Sequence, residues 1–132
     1  MAKVITNTQF GNVAEWAMKV LNVEAVLSIA ENTPLLRKLS DDVCLHAALF
    51  PSAVAHNYQL ITSEEANELM IIHECIHLWQ FERGDLEKLP KGYAWKGKAY
   101  DNRTPYYARP WEKEAFRLEK DLYKEWKEFT KD

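Results

Sequence analysis

Residues 62–83 read TSEEANELMIIHECIHLWQFER, and this stretch is the clearest helix in the chain. Thr62 and Glu65 match a capping box, in which each side chain bonds the other residue's main-chain N–H. Gly84 comes directly after the stretch, and glycine is common just past the last turn of a helix. Apolar residues recur at helical spacing, at Ala66, Leu69, Met70, Ile72, Ile76 and Trp79. The sequence therefore predicts one helix over 62–83, capped at Thr62.

The residues before this helix mix helical and extended patterns. A helix over 13–21 is predicted with Asn12 as its cap, and a short turn or helix over 33–39 begins at Thr33-Pro34. Apolar or alternating runs predict strands, over 23–29, 43–50 and 57–61. Pro51-Ser52 marks a turn between the last two strands. These elements indicate an α+β fold.

The residues after the helix divide into a loop-like segment and a second helix. Residues 84–110 are predicted as a loop, either a functional one or an insertion that hides a hairpin at 93–100. From Arg83 to Arg109 the charge is 7 − 3 = +4, on a chain whose net charge is −3. Pro110 suits the first turn of a helix over 110–130. Its predicted buried stripe consists of Trp111, Ala115, Leu118, Leu122, Trp126 and Phe129.

Length and composition limit the class of protein. The 132 residues suit one domain over 1–132, and 47% hydrophobic residues with 12% aromatic ones argue against a disordered chain. The acidic balance argues against a nucleic-acid binder, and no apolar run is long enough for a membrane span. The N-terminal residues lack the pattern of a signal peptide, and Cys44 and Cys75 do not form a disulfide framework. We therefore expect a small soluble cytoplasmic domain.

The predicted central helix carries His73-Glu74-Cys75-Ile76-His77, an HExxH motif. Two histidines four residues apart lie on one helix face, so both imidazoles can reach one ion. Neutral imidazole is a good zinc ligand, and Glu74 can take a proton from a water beside the metal. The spacing therefore predicts zinc bound by His73 and His77, with Glu74 as general base. Cys75 fits a small buried hydrophobe.

A catalytic zinc needs a third protein ligand and an open position. His46 and His56 precede the motif and are expected to be structural or exposed, and no histidine follows His77. On a helical wheel of 110–130, Glu112 falls within the apolar arc and Glu114 on the polar side. A buried carboxylate needs a partner, so Glu112 is predicted as the ligand and Glu114 as the reserve. The alternative for Glu112 is a carboxylate stabilised by the helix dipole.

Other residues are candidates for supporting roles. Glu119 also faces inward, where it can accept a hydrogen bond from a ligand histidine or pair with a core arginine. Four residues before Glu112 are candidates for stabilising the oxyanion of a tetrahedral intermediate, with loop contacts as the alternative: Tyr106, Tyr107, Arg103 and Arg109.

The motif and the Glu112-x-x-Ala115 element together resemble the gluzincins, zinc peptidases whose third ligand is a glutamate. The Glu-x-x-Ala element is similar to that of the membrane CAAX-type peptidases and of the small peptidases that cleave phage repressors. In those families its first Glu binds zinc, which implies the same for Glu112. Gln80, and the Pro-x-Glu-x-Glu-Ala run over 110–115, recur in short zincin-like proteins, some of them phage-encoded.

The resemblance implies a fold, and it has two departures. The implied fold is zincin-like, with a small mixed or antiparallel sheet beside the HExxH helix and a C-terminal helix carrying the Glu ligand. An edge strand of that sheet pairs with an extended peptide, and 57–61 is predicted to be that strand or its neighbour. Phe116 stands where the families often have Asp or Asn, so support for a ligand histidine must come from elsewhere, such as Glu119. The CAAX-type membrane helices are absent, so that substrate class does not carry over.

These observations predict a zinc metallopeptidase acting on a peptide or protein, with neither nucleic acid nor membrane as a partner. Two alternatives stay open at this stage. One is a non-catalytic, zinc-stabilised binding domain, although an intact Glu74 argues against it because a structural site needs no base. The other is an interaction domain without metal, in which the motif arises by chance. The oligomeric state is not indicated by the sequence.

Overall fold

The computed structural model describes residues 2–39 and 46–131, which form an α+β fold of four helices and two small sheets. In chain order the elements are β1 (Lys3–Thr6), α1 (Gly11–Val20), β2 (Val26–Glu31), α2 (Thr33–Leu39), β3 (Ala47–Pro51), β4 (Asn57–Thr62), α3 (Glu68–Glu82), β5 (Leu86–Leu89), β6 (Gly92–Trp95), β7 (Lys98–Asp101), a 3-10 turn (Tyr106–Ala108) and α4 (Pro110–Phe129). Among these described residues, no helix is long and apolar enough to cross a membrane.

The first sheet has the strand order β1-β2-β4-β3. β1, β2 and β4 run parallel, while β3 lies antiparallel to β4 at the edge. Helix α1 forms the crossover between β1 and β2, since parallel neighbours need a long connection. The core lies between this sheet and the helices, and includes Met18, Leu27, Leu60, Ile71 and Ile76. The predicted mixed sheet beside the motif helix is confirmed.

Strand β3 lies at one edge of the first sheet, as far as residues 2–39 and 46–131 show. Ser63 N–H donates to His46 C=O, so His46 and Ser63 form a hydrogen-bonded pair. By the register of the two strands, the main-chain N–H and C=O groups of Ala48 and Phe50 then also point toward β4. Antiparallel partners alternate between bonded and non-bonded pairs, so the main-chain groups of Ala47 and Leu49 point away from the sheet. Those groups lie on the side of the sheet where another extended segment can pair.

The second sheet replaces the predicted loop over 84–110. β5, β6 and β7 form an antiparallel meander in which Tyr93 pairs with Tyr100. Lys96 and Gly97 both have positive φ, 49° and 86°, as a two-residue type I′ hairpin turn requires. The tyrosine rings both lie 5.5 Å from the ring of Trp111. The hairpin alternative at 93–100 is confirmed and the plain loop is wrong, because contact with α4 stabilises strands too short to show a pattern.

The predicted cap at Thr62 is also wrong. The cap of α3 is Asn67, whose side-chain oxygen accepts the N–H of Met70 at 3.0 Å. Thr62 instead ends β4, where it pairs with Ala47 on one side and Glu31 on the other. Pairing on two sides outweighs a cap worth about 1 kcal/mol. The capping-box pattern could not reveal this, since the partner strands are distant in sequence.

Smaller differences concern the N-terminal half. β1 was not predicted, and the strand expected at 23–29 is β2, two to three residues further on. Helix α1 has Phe10 rather than Asn12 at its cap position, without a side-chain cap. The expected strand 43–50 is described only in part, because 43–45 lie outside the described residues. The predicted α2 is confirmed over Thr33–Leu39.

Helix α4 begins at Pro110 as predicted and lies along α3. The inward placement of Glu112 and Glu119 is confirmed, since they are only 7% and 8% exposed. Phe129, expected in the buried stripe, is 68% exposed and stacks on Trp126 near the end of the helix. The α4 face toward α3 therefore carries these two buried carboxylates among its apolar residues.

Candidate metal centre

Helix α3 presents two histidines to one point. His73 and His77 are one turn apart, each 7% exposed, and their Nε2 atoms lie 3.1 Å from each other. The helical spacing of the motif accounts for this, because residues i and i+4 stack on one face. The predicted pair is therefore assembled with both Nε2 atoms converging.

Helix α4 supplies the third donor. Oε1 of Glu112 lies 2.8 Å from Nε2 of His73 and 3.0 Å from Nε2 of His77. The three atoms thus form a triangle with edges of 2.8–3.1 Å. Zinc bonds of about 2.0–2.1 Å in tetrahedral geometry separate neighbouring ligands by about 3.3 Å. A small divalent cation fits this triangle after shifts of a few tenths of an ångström.

The other nitrogen of each imidazole faces an acceptor. Nδ1 of His73 lies 3.4 Å from Oε2 of Glu119, and Nδ1 of His77 lies 2.8 Å from Oε1 of Gln80. Each Nδ1 therefore donates its proton outward, which leaves the Nε2 lone pair for a metal. Glu119 therefore lies where the supporting role predicted for it requires. The ring of Phe116 lies 4.9 Å from that of His73.

The charges within the triangle are strongly coupled. Burial lowers the pKa of His73, but hydrogen bonds with Glu112 and Glu119 outweigh it and raise this pKa to about 10. Burial raises the pKa of Glu112, yet its bonds with both histidines lower it to about 2. The pKa of His77 is also raised, because its bond with Glu112 outweighs burial. Without a metal, the site thus retains a proton as its positive charge.

Glu74 lies beside the triangle. Its carboxylate and the two imidazoles have donor atoms within 4.8 Å of one another. Burial raises the pKa of Glu74, although the two histidines and a hydrogen bond from the main chain of Leu49 lower it in part. A carboxyl group with a raised pKa is suited to proton transfer near neutral pH. Glu74 is thus a carboxyl group with a raised pKa directly beside the two imidazoles.

Two tyrosines border the triangle from the C-terminal half. Tyr106 lies beside Glu112, and the pKa of its hydroxyl is raised by desolvation and by that carboxylate. The pKa of Tyr93 is raised by burial and by the nearby charge of Glu74. Sequence reasoning named Tyr106 but missed Tyr93, which only the β6 strand brings to the site.

The other oxyanion candidates are placed differently. Tyr107 is 78% exposed, and the Arg103 side chain is 95% exposed. The guanidinium of Arg109 lies 5.7 Å from the Tyr106 ring centroid, and its Nε donates to the Thr104 carbonyl at 3.1 Å. Arg109 is therefore held at the border of the site, whereas Tyr107 and Arg103 extend into solvent.

Glu114, the reserve ligand, faces Gln80 and Arg83 instead of the imidazoles. Its Oε1 accepts from Gln80 Nε2 at 2.9 Å and from Arg83 at 2.6 Å. Gln80 is fully buried, and sequence reasoning gave it no role. Its position three residues after His77 on one helix was the signal that could have found it.

The remaining histidines and the cysteine lie apart from the triangle. His46 bonds Ser63 Oγ at 3.0 Å, and His56 is exposed and bonds Glu82 at 2.7 Å. Cys75 is 1% exposed, and burial raises its thiol pKa to about 12, so the thiol stays protonated. These placements agree with the structural roles expected for all three residues.

The geometry thus offers three converging donors, a neighbouring carboxylate and two hydroxyl groups. Comparison with protein-family models, with curated proteins and with solved structures finds no match to this chain. The chemistry of the site therefore rests on its own residues.

Proposed function

We propose that this protein is a zinc metallopeptidase of the zincin-like class. In this proposal His73, His77 and Glu112 hold the ion, and Glu74 is the general base. Zinc, when bound, supplies a Lewis acid that activates water and polarises the scissile carbonyl. The observation that carries the proposal is the convergence of three buried donor atoms within 3.1 Å of one another.

A metal explains this convergence better than a proton does. Both Nδ1 atoms face acceptors, so both Nε2 lone pairs point toward Glu112 Oε1. One proton can be shared by only two of these three atoms, whereas a divalent cation accepts from all three. Burying three donors together is costly unless a cation compensates them. Two imidazoles and a carboxylate are a common set for catalytic zinc, which keeps an open fourth position.

The role of Glu74 follows from its position and its raised pKa. It lies next to the donors without belonging to the 2.8–3.1 Å triangle. From there it can accept a proton from the attacking water and return it to the leaving amine. The Leu49 N–H fixes the carboxylate on the β3 side of the site. A purely structural metal site requires no such group.

The substrate we propose is an extended segment of a peptide or protein. The outward main-chain groups of Ala47 and the outward C=O of Leu49 can pair with it, as strand addition requires. Leu49 also contacts Glu74, so a strand added at this edge passes beside the base. β3, the neighbour of the strand expected from the sequence, is thus the better candidate for the substrate edge.

The first experiment measures zinc per chain in protein purified without a metal-affinity tag. We expect about one zinc in the wild type and in Glu74→Gln, and strong loss in His77→Ala and Glu112→Gln. Glu74→Gln is the matched control, because it changes a carboxylate beside the triangle without removing any of the three donor atoms. A wild type that binds no zinc after zinc is supplied contradicts the proposal.

The second experiment tests turnover with a mixture of quenched fluorescent peptides that covers all side-chain classes. The zinc-loaded wild type should cleave some of them, and Glu74→Gln should be slower by about 10²–10⁴-fold. Equal rates in both proteins would show that Glu74 is not the base. A zinc-loaded wild type without any cleavage would instead favour the non-catalytic binding domain.

A further inference from the structure

The imidazole of His77 is held from behind by groups on both α3 and α4. Its Nδ1 lies 2.8 Å from Oε1 of Gln80. The amide nitrogen of Gln80 donates to the carbonyl of Trp111 at 3.0 Å and to Oε1 of Glu114 at 2.9 Å. Gln80 has no exposed surface, and in the described part of the chain its side-chain amide makes these three contacts.

The acceptors on α4 fix the orientation of this amide. The Trp111 carbonyl and the Glu114 carboxylate can only accept, so the NH₂ group of Gln80 must face them. Its oxygen must then face His77, whose Nδ1 must carry a proton to donate. In the neutral imidazole the other nitrogen, Nε2, then carries no proton, so its lone pair is available to a metal beside Glu112. The tautomer of the predicted ligand therefore follows from residues that never approach the ion.

Arg83 lies at the far end of this series of hydrogen bonds, which runs from His77 through Gln80 and Glu114. Its guanidinium donates to Glu114 at 2.6 Å and to Asp85 at 2.6 Å, and it lies 3.9 Å from the ring centroid of Trp79. This contact holds the Glu114 carboxylate in place against Gln80. Because Asp85 directly precedes β5, these hydrogen bonds also connect the second sheet to α3 and α4.

We propose that Gln80 is a positioning residue for the metal, and that Glu114 and Arg83 orient it. Gln80 holds His77 in the tautomer and rotation that a metal needs. Groups that hydrogen-bond metal-binding histidines commonly have this effect. This inference rests on the metal-binding part of the proposed function. It is independent of hydrolysis, since zinc affinity and the histidine tautomer are measured without a substrate.

The first variant removes the contact at nearly constant volume. Gln80→Met should weaken zinc binding by about 10–100-fold, measured by competition with a chromophoric chelator. Nitrogen-15 spectra of the imidazole side chains should show His77 protonated at Nδ1 in the wild type, and a mixture of tautomers in the variant. His73, which faces Glu119, is the internal control and should keep its tautomer.

A paired exchange separates positioning from mere filling of space. Gln80→Glu alone places a carboxylate against the Trp111 carbonyl and Glu114, so it should fold poorly or bind zinc weakly. Adding Glu114→Gln restores a donor opposite the new carboxylate. The double variant Gln80→Glu/Glu114→Gln should then recover zinc affinity to within about tenfold of the wild type. Residues that only fill space would not be rescued by exchanging donor and acceptor.

Two results would overturn the inference. One is a folded Gln80→Met variant with wild-type zinc affinity and an unchanged His77 tautomer. The other, decisive where Gln80→Met does not fold, is a folded double variant whose zinc affinity stays as low as that of Gln80→Glu. If the wild type binds zinc but cleaves no peptide, the peptidase proposal fails while both measurements remain informative. If it binds no zinc, both fail together.

Discussion

At the scale of single residues, the contact between His73 and Glu112 makes stability depend on pH when zinc is absent. His73 has a pKa of about 10 in the folded protein against 6.5 ordinarily. Its protonation therefore contributes fully to stability below pH 6.5, and this contribution is lost as the pH rises through 10. Glu112 has a pKa of about 2 in the folded protein against 4.5 ordinarily. Its ionised carboxylate therefore contributes fully to stability above pH 4.5, and this contribution is lost as the pH falls through 2. The zinc-free protein should therefore be most stable near pH 4.5–6.5.

Urea unfolding of chelator-treated protein across pH 4–10 measures this dependence. Glu112→Gln is the control, since it removes the charge that raises the pKa of His73. Its stability should fall less on the alkaline side than that of the wild type. Parallel curves for the two proteins would show that the pair is not responsible.

A second residue-scale prediction concerns the hydroxyl of Tyr106. Because this hydroxyl lies beside the Glu112 carboxylate, Tyr106→Phe should leave that carboxylate freer to rotate and weaken zinc binding by about tenfold. Tyr107→Phe removes a hydroxyl from a 78% exposed neighbour and should leave zinc affinity unchanged. Competition with a chelator measures the zinc affinity of both variants. Equal affinities would show that the Tyr106 hydroxyl does not support the metal site.

At the scale of elements, the motif helix shows which features a sequence reveals. The periodicity of α3 and the spacing of His73 and His77 are local, and the structure confirms the helix. Its start is not local, because β4 continues through Thr62 by pairing with strands on both sides. Strand β5 was missed, and the hairpin of β6 and β7 was only an alternative to a loop, for the same reason, since its tyrosines gain a buried face only against Trp111 of α4.

The two possible helix starts can be separated by mutation. Asn67→Ala removes the cap bond to Met70 and should lower the free energy of unfolding by about 1 kcal/mol. Thr62→Val should be neutral or stabilising by about 1 kcal/mol, because the buried Thr62 hydroxyl has no hydrogen-bond partner in the described structure. A large loss in Thr62→Val, with none in Asn67→Ala, would restore the cap predicted from sequence. Thermal or urea unfolding gives both values.

At the scale of the whole molecule, the site depends on contacts between distant segments. Glu112 was predictable as a ligand candidate, since the helical wheel placed it among apolar residues and the structure confirms its burial. The orientation of Gln80 and the outward groups of β3 were not predictable. They depend on how α4 lies against α3 and on which strand occupies the edge, and neither pattern occurs within a single segment.

Metal removal should therefore act on the fold as well as on the site. His73 and Glu112 are 39 residues apart, so a shared ion joins α3 to α4 across the intervening meander. A ligand that binds only the folded state at 100 times its Kd adds about 2.7 kcal/mol of stability. For a chain of this size we expect zinc to raise Tm by about 8–10 °C over chelator-treated protein. Glu74→Gln should keep that increase and Glu112→Gln should lose most of it, because only Glu112 belongs to the donor triangle. An increase of the same size in both variants would show that zinc stabilises the protein from another position.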